Sequence, residues 1–271
     1  MNRKTKTLII TIITLSIILG ITIGGVLLSP SALEADFTSK NLPPSMSHLF
    51  GTDWMGRNML YRTLKGLSTS IVIGVVAATV SAVIAVMVGT MAGTMPKWVD
   101  TIIIWCIDLV MGIPHIVLLI LISFAMGRGL KGLIVGIAVT HWPSLARLVR
   151  GEVLQLHNEQ YIKLSKNLGK SNLYILRKHI LPHIIPQFII GLILLFPHAI
   201  LHEAAITFLG FGLSPEQPAV GIILSESMKY LSSGMWWLAV FPGAMLVGIV
   251  LLFDKLGDNL RRLIDPYSSQ E

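Results

Sequence analysis

His198 and His202 stand four residues apart in an apolar run, with Glu203 beside them. On a helix that spacing puts both imidazoles on one face. At membrane depth such a pair has three uses: ligands to a metal ion, contacts to a charged substrate in a pore, or hydrogen bonds inside a helical bundle. Two histidines alone do not select among these. Asp108 and Glu203 are the acids expected at membrane depth, where a carboxylate needs a cation, a proton or water. Both are candidates for a translocation pathway or a structural network, and a structural network is preferred for Glu203, which lies close to a helix end. His115 and His141 neighbour Pro114 and Pro143 and are read as stabilising irregular backbone rather than binding a ligand. Cys106, the only cysteine, lies in an apolar run and reads as packing. There is no HExxH, no CxxC and no Gly-rich Lys/Ser phosphate loop, so the chain is not expected to bind or hydrolyse ATP by itself.

The elements that must position these residues are membrane spans. The 271 residues are 53% hydrophobic and 13% charged, with a net charge of +7 and a mean hydropathy of +0.74. That composition argues for an integral membrane protein. Basic residues separated by long apolar runs make nucleic acid a poor partner. Arg3, Lys4 and Lys6 precede an apolar run from Leu8 to Leu28. It is long enough to cross the hydrocarbon and is read as a retained first span rather than a signal peptide. Residues 29–66 read as a polar, proline-interrupted external segment containing GTDWMGR, from Gly51 to Arg57. Further spans are expected from Leu67 to Met91, Val99 to Ala125, Gly132 to Leu148, Ile184 to Ile206 and Met235 to Phe253. Gly74, Ala78, Ala82 and Ala85 form a close-packing stripe, and a kink is expected near Met111, Gly112 and Pro114. A surface or re-entrant helix is expected over Val220 to Leu231. Trp236 and Trp237 read as interfacial anchors. Trp54 reads as surface packing or as a contact for an external protein. Residues 257–271 form a tail.

One charged interval, Asn158 to Pro182, breaks the apolar pattern. Tyr161, Leu164 and Leu168 recur at helical spacing, Lys163, Lys166 and Lys170 supply polar surface, and Gly169 gives a stop. An amphipathic helix there either is gripped from the aqueous side or lies at the lipid headgroups. The distribution of Lys and Arg puts this interval and both termini on the cytoplasmic side, with six crossings between them.

The interval resembles the EAA loop of importer-type ABC permeases. Gly169 and the later Ile180, Leu181 and Pro182 fall at that family's spacing, while Lys163, Leu164 and Ser165 stand where the family has Glu-Ala-Ala. Gly51, Thr52, Asp53, Gly56 and Arg57 resemble the GTDxxGR element of OppC/DppC-type permeases. Glu203 to Ala205 and Phe208 to Gly212 are similar to their EAxxSFLGxG region, with Thr207 at a position where serine is common. Gly257, Asp258, Leu260, Arg261, Asp265 and Pro266 resemble their terminal pattern, with Arg262 replacing an aspartate. The likeness spans the chain and implies the oligopeptide/dipeptide/nickel family, of OppC, DppC or NikC type.

That resemblance implies an all-α polytopic membrane protein with six transmembrane helices, a cytoplasmic coupling helix and the type I importer permease fold. It implies a second homologous permease of OppB, DppB or NikB type, two ATPase subunits that use ATP-Mg, and an extracellular solute-binding protein. This chain would hold no cofactor and would be a non-catalytic subunit in the cytoplasmic membrane. Tyr161, Lys163, Leu164, Ser165, Lys166, Leu168, Gly169 and Pro182 would form the ATPase coupling site. Around His198 to Trp237 the sequence looks closer to nickel and metallophore permeases, so nickel or a metal chelate is the expected cargo, with di- or oligopeptides the alternative. An ion-coupled secondary transporter using Asp108, Glu203 and the histidines is the rival class, and a non-transporting scaffold a further one.

Overall fold

The computed structural model describes residues 3–264, and these are mostly helical. The helices are α1 (Arg3–Leu27), α2 (Met59–Thr94), α3 (Lys97–Gly112), α4 (His115–Ala125), α5 (Gly129–Asn158), α6 (Gln160–Asn167), α7 (Asn172–Ile175), α8 (Leu181–Phe208), α9 (Val220–Leu231) and α10 (Trp237–Ile264). Five helical stretches are long and apolar enough to cross a membrane, and α3 with α4 makes a sixth if the bent pair is one span. Ile12, Val83, Leu121 and Leu251 are among the many large apolar side chains left exposed, as expected where lipid rather than water is the solvent.

The central element is α2. Its 36 residues extend for roughly 54 Å at about 1.5 Å each, well beyond a hydrocarbon core of about 30 Å. Ala78, Ala82 and Ala85 are buried on it. A Cβ added at Gly89 would lie 2.5 Å from the Ala146 carbonyl oxygen and 2.9 Å from Val149 Cβ of α5. At Gly89 α2 and α5 thus come to backbone contact, and dispersion over that close crossing replaces the missing hydrophobic drive, while Gly74 of the expected stripe faces Phe196 and Ile200 of α8. The same helix packs on α8, where Phe196 stacks on Phe253 of α10 at 3.6 Å between centroids. It also packs on α1, where Ser68 Oγ donates to the Thr22 carbonyl at 2.8 Å.

Several boundaries differ from expectation for identifiable reasons. The external segment ends at Asn58 rather than Gly66, because Asn58 caps α2 by accepting from Leu60 N at 3.0 Å and the polar residues after it find partners. The fourth span continues to Asn158 rather than Leu148. Its arginines are paired in an antiparallel ladder with α3: Arg150 with Asp100 at 2.5 and 2.7 Å, Arg147 with Asp108 at 2.5 Å. The third span is not one rod. α3 and α4 meet at 99°, where Pro114 lacks a donor and drives Ile113 into extended backbone at φ −90°, ψ 137°.

Pro182 does not open a separate span. Residues Asn172–Phe208 form one 37-residue helical stretch, carried past the proline by a π turn over Leu176–Ile180 in which Leu181 N donates to the Leu176 carbonyl. The widened turn absorbs the absent proline N–H without breaking the rod. The sixth span likewise runs on to Ile264, so what was expected as a tail from Gly257 is its last turns, with Arg261 and Arg262 at the negative helix end. Asp265 and Pro266 of the terminal pattern lie outside the described residues.

Candidate functional site

At one end of α2 the GTDWMGR stretch folds into a clasp. Gly51 and Gly56 take left-handed φ of 70° and 77°, closing a tight loop around Asp53, which is fully buried. Asp53 Oδ1 accepts from the backbone of Met55 at 2.8 Å and of Arg57 at 3.0 Å. Its Oδ2 accepts from Arg57 Nε at 2.7 Å and Arg62 Nη1 at 3.1 Å. Arg62 Nη2 in turn pairs with Glu226 on α9. Trp54 stacks on Tyr230 of α9 at 4.8 Å, with both guanidinium groups 5.3 Å from its ring. Thr52 Oγ1 donates to the Ser39 carbonyl at 2.5 Å and accepts from Leu42 N at 2.9 Å. The motif thus ties the 29–58 segment to α9, and Trp54 is packing within it. Trp237 is not an interfacial anchor: it is nearly buried and its indole N–H donates to the Thr52 carbonyl at 3.4 Å. Trp236 remains half exposed.

At the other end of the bundle stands α6. Its apolar residues divide unexpectedly. Ile162 is fully buried, while Tyr161, Leu164 and Leu168 are 43%, 59% and 69% exposed. Leu164 and Leu168 therefore project outward, while Tyr161 keeps a ring contact within the chain, 5.6 Å from His179. Ile162 shares a buried cluster with Ile175 and Ile180, at the base of the long helical stretch leading into α8. Lys163 and Lys166 are exposed, and Ser165 Oγ donates to the Tyr161 carbonyl at 2.9 Å. Gly169, at φ 78°, closes the helix. Its N–H donates to the Lys166 carbonyl at 2.9 Å and Lys170 N to the Ser165 carbonyl at 3.1 Å, the paired bonds of a Schellman stop.

Between these ends, beside the α3–α4 break, three imidazoles converge. His115 opens α4, His141 lies on α5 and His202 on α8. Their ring centroids are 4.5, 4.5 and 5.0 Å apart, and one nitrogen from each lies within 4.8 Å of the others. They line a cavity of about 310 Å³ with Met111, Ser144, Leu195 and His198. The sequence reading missed His115 and His141 as ligand candidates. Each adjoins a proline, and the prolines explain local backbone well enough to hide that the α3–α4 bend swings His115 toward the other two. His198 is exposed at the rim, outside the convergent group. Its carbonyl accepts from His202 Nδ1 at 2.7 Å.

The two acids grouped with these histidines lie elsewhere. Asp108 is largely exposed and held by Arg147 at 2.5 Å, so it stands in the α3–α5 ladder rather than on the cavity. Glu203, one residue on from His202, is rotated away by a helical step. It is fully buried and its Oε1 accepts from Thr207 Oγ1 at 3.0 Å.

Comparison with known proteins adds to this geometry. Residues 85–267 match the family described as binding-protein-dependent transport system inner membrane component. The chain is 35% identical over 243 residues to the dipeptide transport system permease protein DppC of Bacillus subtilis, covering 89% of this chain and 76% of that protein. It is 32% identical to the oligopeptide transport system permease protein OppC of the same organism, covering 88% and 79%. It is 36% identical to the glutathione transport system permease protein GsiD of Shigella flexneri, covering 85% and 76%. Among solved structures, the inward-facing MetNI methionine ABC transporter aligns with a TM-score of 0.62 at 19% identity, over 76% of this chain and 98% of that one. An amino acid ABC transporter aligns with a TM-score of 0.56 at 17% identity, over 74% and 93%. These last two likenesses concern the fold.

Proposed function

The chain belongs to the family of binding-protein-dependent transport inner membrane components, as an OppC/DppC-like importer permease, and from that premise we propose that it carries short peptides across the cytoplasmic membrane. Its relatives named for dipeptides, oligopeptides and glutathione support peptides over the nickel or metal-chelate cargo that the sequence had favoured. The chain itself performs no catalysis. A second, homologous permease completes the pore, two ATPase subunits burn ATP-Mg, and an extracellular solute-binding protein delivers the peptide. Both termini face the cytoplasm, on the same side as α6.

The observation that carries this mechanism is the exposed apolar and basic face of α6. Tyr161, Leu164 and Leu168 present an apolar stripe to the aqueous side, flanked by Lys163 and Lys166. An ATPase groove lined by apolar and acidic residues fits that face. Ile162 anchors the opposite side into the cluster holding Ile175 and Ile180. Motion of the motor is thereby delivered to a continuous helical stretch, Asn172–Phe208, which carries the cavity residues His198 and His202. Alternating access follows from tilting that rod against α2 and α5.

The test is ATPase stimulation in the reconstituted four-component importer. Binding protein loaded with a dipeptide or tripeptide is expected to raise hydrolysis above the unloaded level, and nickel-loaded binding protein is not. Stimulation by nickel alone would overturn the peptide assignment. Stimulation by neither would overturn the importer reading for these substrates.

A further inference from the structure

The cavity histidines have a feature that transport of peptides does not require. His141 is more than nine-tenths buried. Its Nδ1 sits 2.9 Å from the Ile137 carbonyl, an acceptor only, so Nδ1 carries the proton and Nε2 presents a lone pair. That Nε2 is buried with no hydrogen-bond partner in the described structure. His202 repeats the arrangement: its Nδ1 donates to the His198 carbonyl at 2.7 Å, which again leaves Nε2 as the lone-pair atom. His115 Nε2 is likewise buried and unpartnered. Leaving such atoms unsatisfied is costly, and a backbone carbonyl fixing the remote nitrogen is the usual way a protein aims an imidazole at a metal.

We propose that His115, His141 and His202 form a binding site for one divalent transition-metal ion, of the zinc, cobalt or nickel type, with its remaining coordination position open to the cavity. Three neutral imidazoles suit a borderline cation and make a poor site for magnesium or calcium, which prefer oxygen. The ligand atoms already lie within 4.8 Å of one another, so an ion about 2.0–2.1 Å from each nitrogen needs only small rotations of the rings. The open face toward His198, Met111 and Ser144 leaves space for water or a donor from a passing molecule. Because the ligands come from α4, α5 and α8, the ion also fastens together the broken arm and the two helices that flank it. Metal occupancy therefore stabilises one arrangement of the cavity. This inference is independent of the peptide assignment.

The experiment uses the full importer complex in detergent, stripped of metal by chelator and then titrated with Co2+, with absorption spectra recorded and Zn2+ used as competitor. The expected result is one Co2+ per copy of this chain, with an imidazole-type spectrum abolished by Zn2+. His202→Gln and His115→Gln, at half-buried positions, are each expected to weaken binding by at least about tenfold, whereas His198→Ala changes it by less than about threefold. Magnesium is expected not to compete. A stripped complex that remains monodisperse and binds no Co2+ overturns the proposal, as does Co2+ binding that survives both Gln variants. Failure of peptide to stimulate ATP hydrolysis bears on the transport reading and leaves this result unaffected.

Discussion

Replacing Gly169 with valine tests the coupling role proposed for α6. Gly169 adopts φ 78°, and a Cβ placed there meets nothing within 4 Å. Steric overlap with neighbours is therefore not the cost; the left-handed backbone is. A residue with a Cβ held in that region loses about 1–2 kcal/mol relative to glycine, and a β-branched one stands at the upper end. The helix it closes has eight residues and one buried side chain, Ile162, too little to hold its form without the stop. A loss of about 1–2 kcal/mol reduces the properly capped population relative to frayed forms by roughly 5–30-fold. Peptide-stimulated ATP hydrolysis and uptake are expected to fall by several-fold or more, with membrane insertion and yield unchanged. Gly169→Asn, whose side chain tolerates left-handed backbone, is expected to retain most of the coupling, and Gly169→Ala to lie between. Normal uptake and normal stimulated hydrolysis in the valine variant would refute the assignment of this turn to coupling.

Further outcomes follow from other parts of the molecule. Leu164→Cys, read against Cys106 as the only native thiol, is expected to react quickly with a water-soluble maleimide in the permease pair and slowly once the ATPases are bound; equal rates would remove α6 from the interface. Lys163→Glu together with Lys166→Glu is expected to weaken ATPase association, more so at low salt than at high salt where charge is screened, as followed by co-purification. Asp53→Ala removes the buried carboxylate shared by Arg57 and Arg62 and leaves Arg62 to Glu226 alone; a loss of about 1.5–3 kcal/mol is expected, seen as a lower unfolding temperature for the detergent-solubilised chain. Gly89→Leu forces α2 from α5 at a point where even a Cβ would lie 2.5 Å from the Ala146 carbonyl, and a cost of about 1–3 kcal/mol or more is expected as lost folded yield.

The fold was legible wherever a single physical rule governed a segment. Long apolar runs gave the spans, small residues marked the α2–α5 contact, and the extent of α9 followed from Val220 to Leu231 alone. Boundaries failed where polar residues acquire partners from distant sequence. Arg62 is helical because Asp53 and Glu226 receive it, and Arg147 and Arg150 extend α5 because α3 supplies Asp108 and Asp100. No local pattern contains those pairings. The fifth span, expected from Ile184, starts earlier for the opposite reason: charge alone marked the residues before Pro182 as a separate interval, and the π turn over Leu176–Ile180 carries the helix through them. The amphipathic helix at Tyr161 was visible in the sequence, but periodicity could not say which apolar residue faced inward. Ile162, lying between the apparent stripe residues, is the one the fold buries. The histidines illustrate the same limit. His198 and His202 share a helix and were easy to associate, whereas His115, His141 and His202 meet only because α3 and α4 turn through 99°.

The central claim is that this permease moves peptides when an ATPase drives it through α6. Its most direct measurement is uptake of a radiolabelled dipeptide into proteoliposomes holding both permeases, with binding protein outside and ATP-Mg enclosed, in the presence or absence of the two ATPase subunits. Accumulation is predicted only when the ATPases and ATP are both present, and it is predicted to be lost with Gly169→Val. Accumulation by the permeases without the ATPases, driven by an ion gradient, would contradict the account.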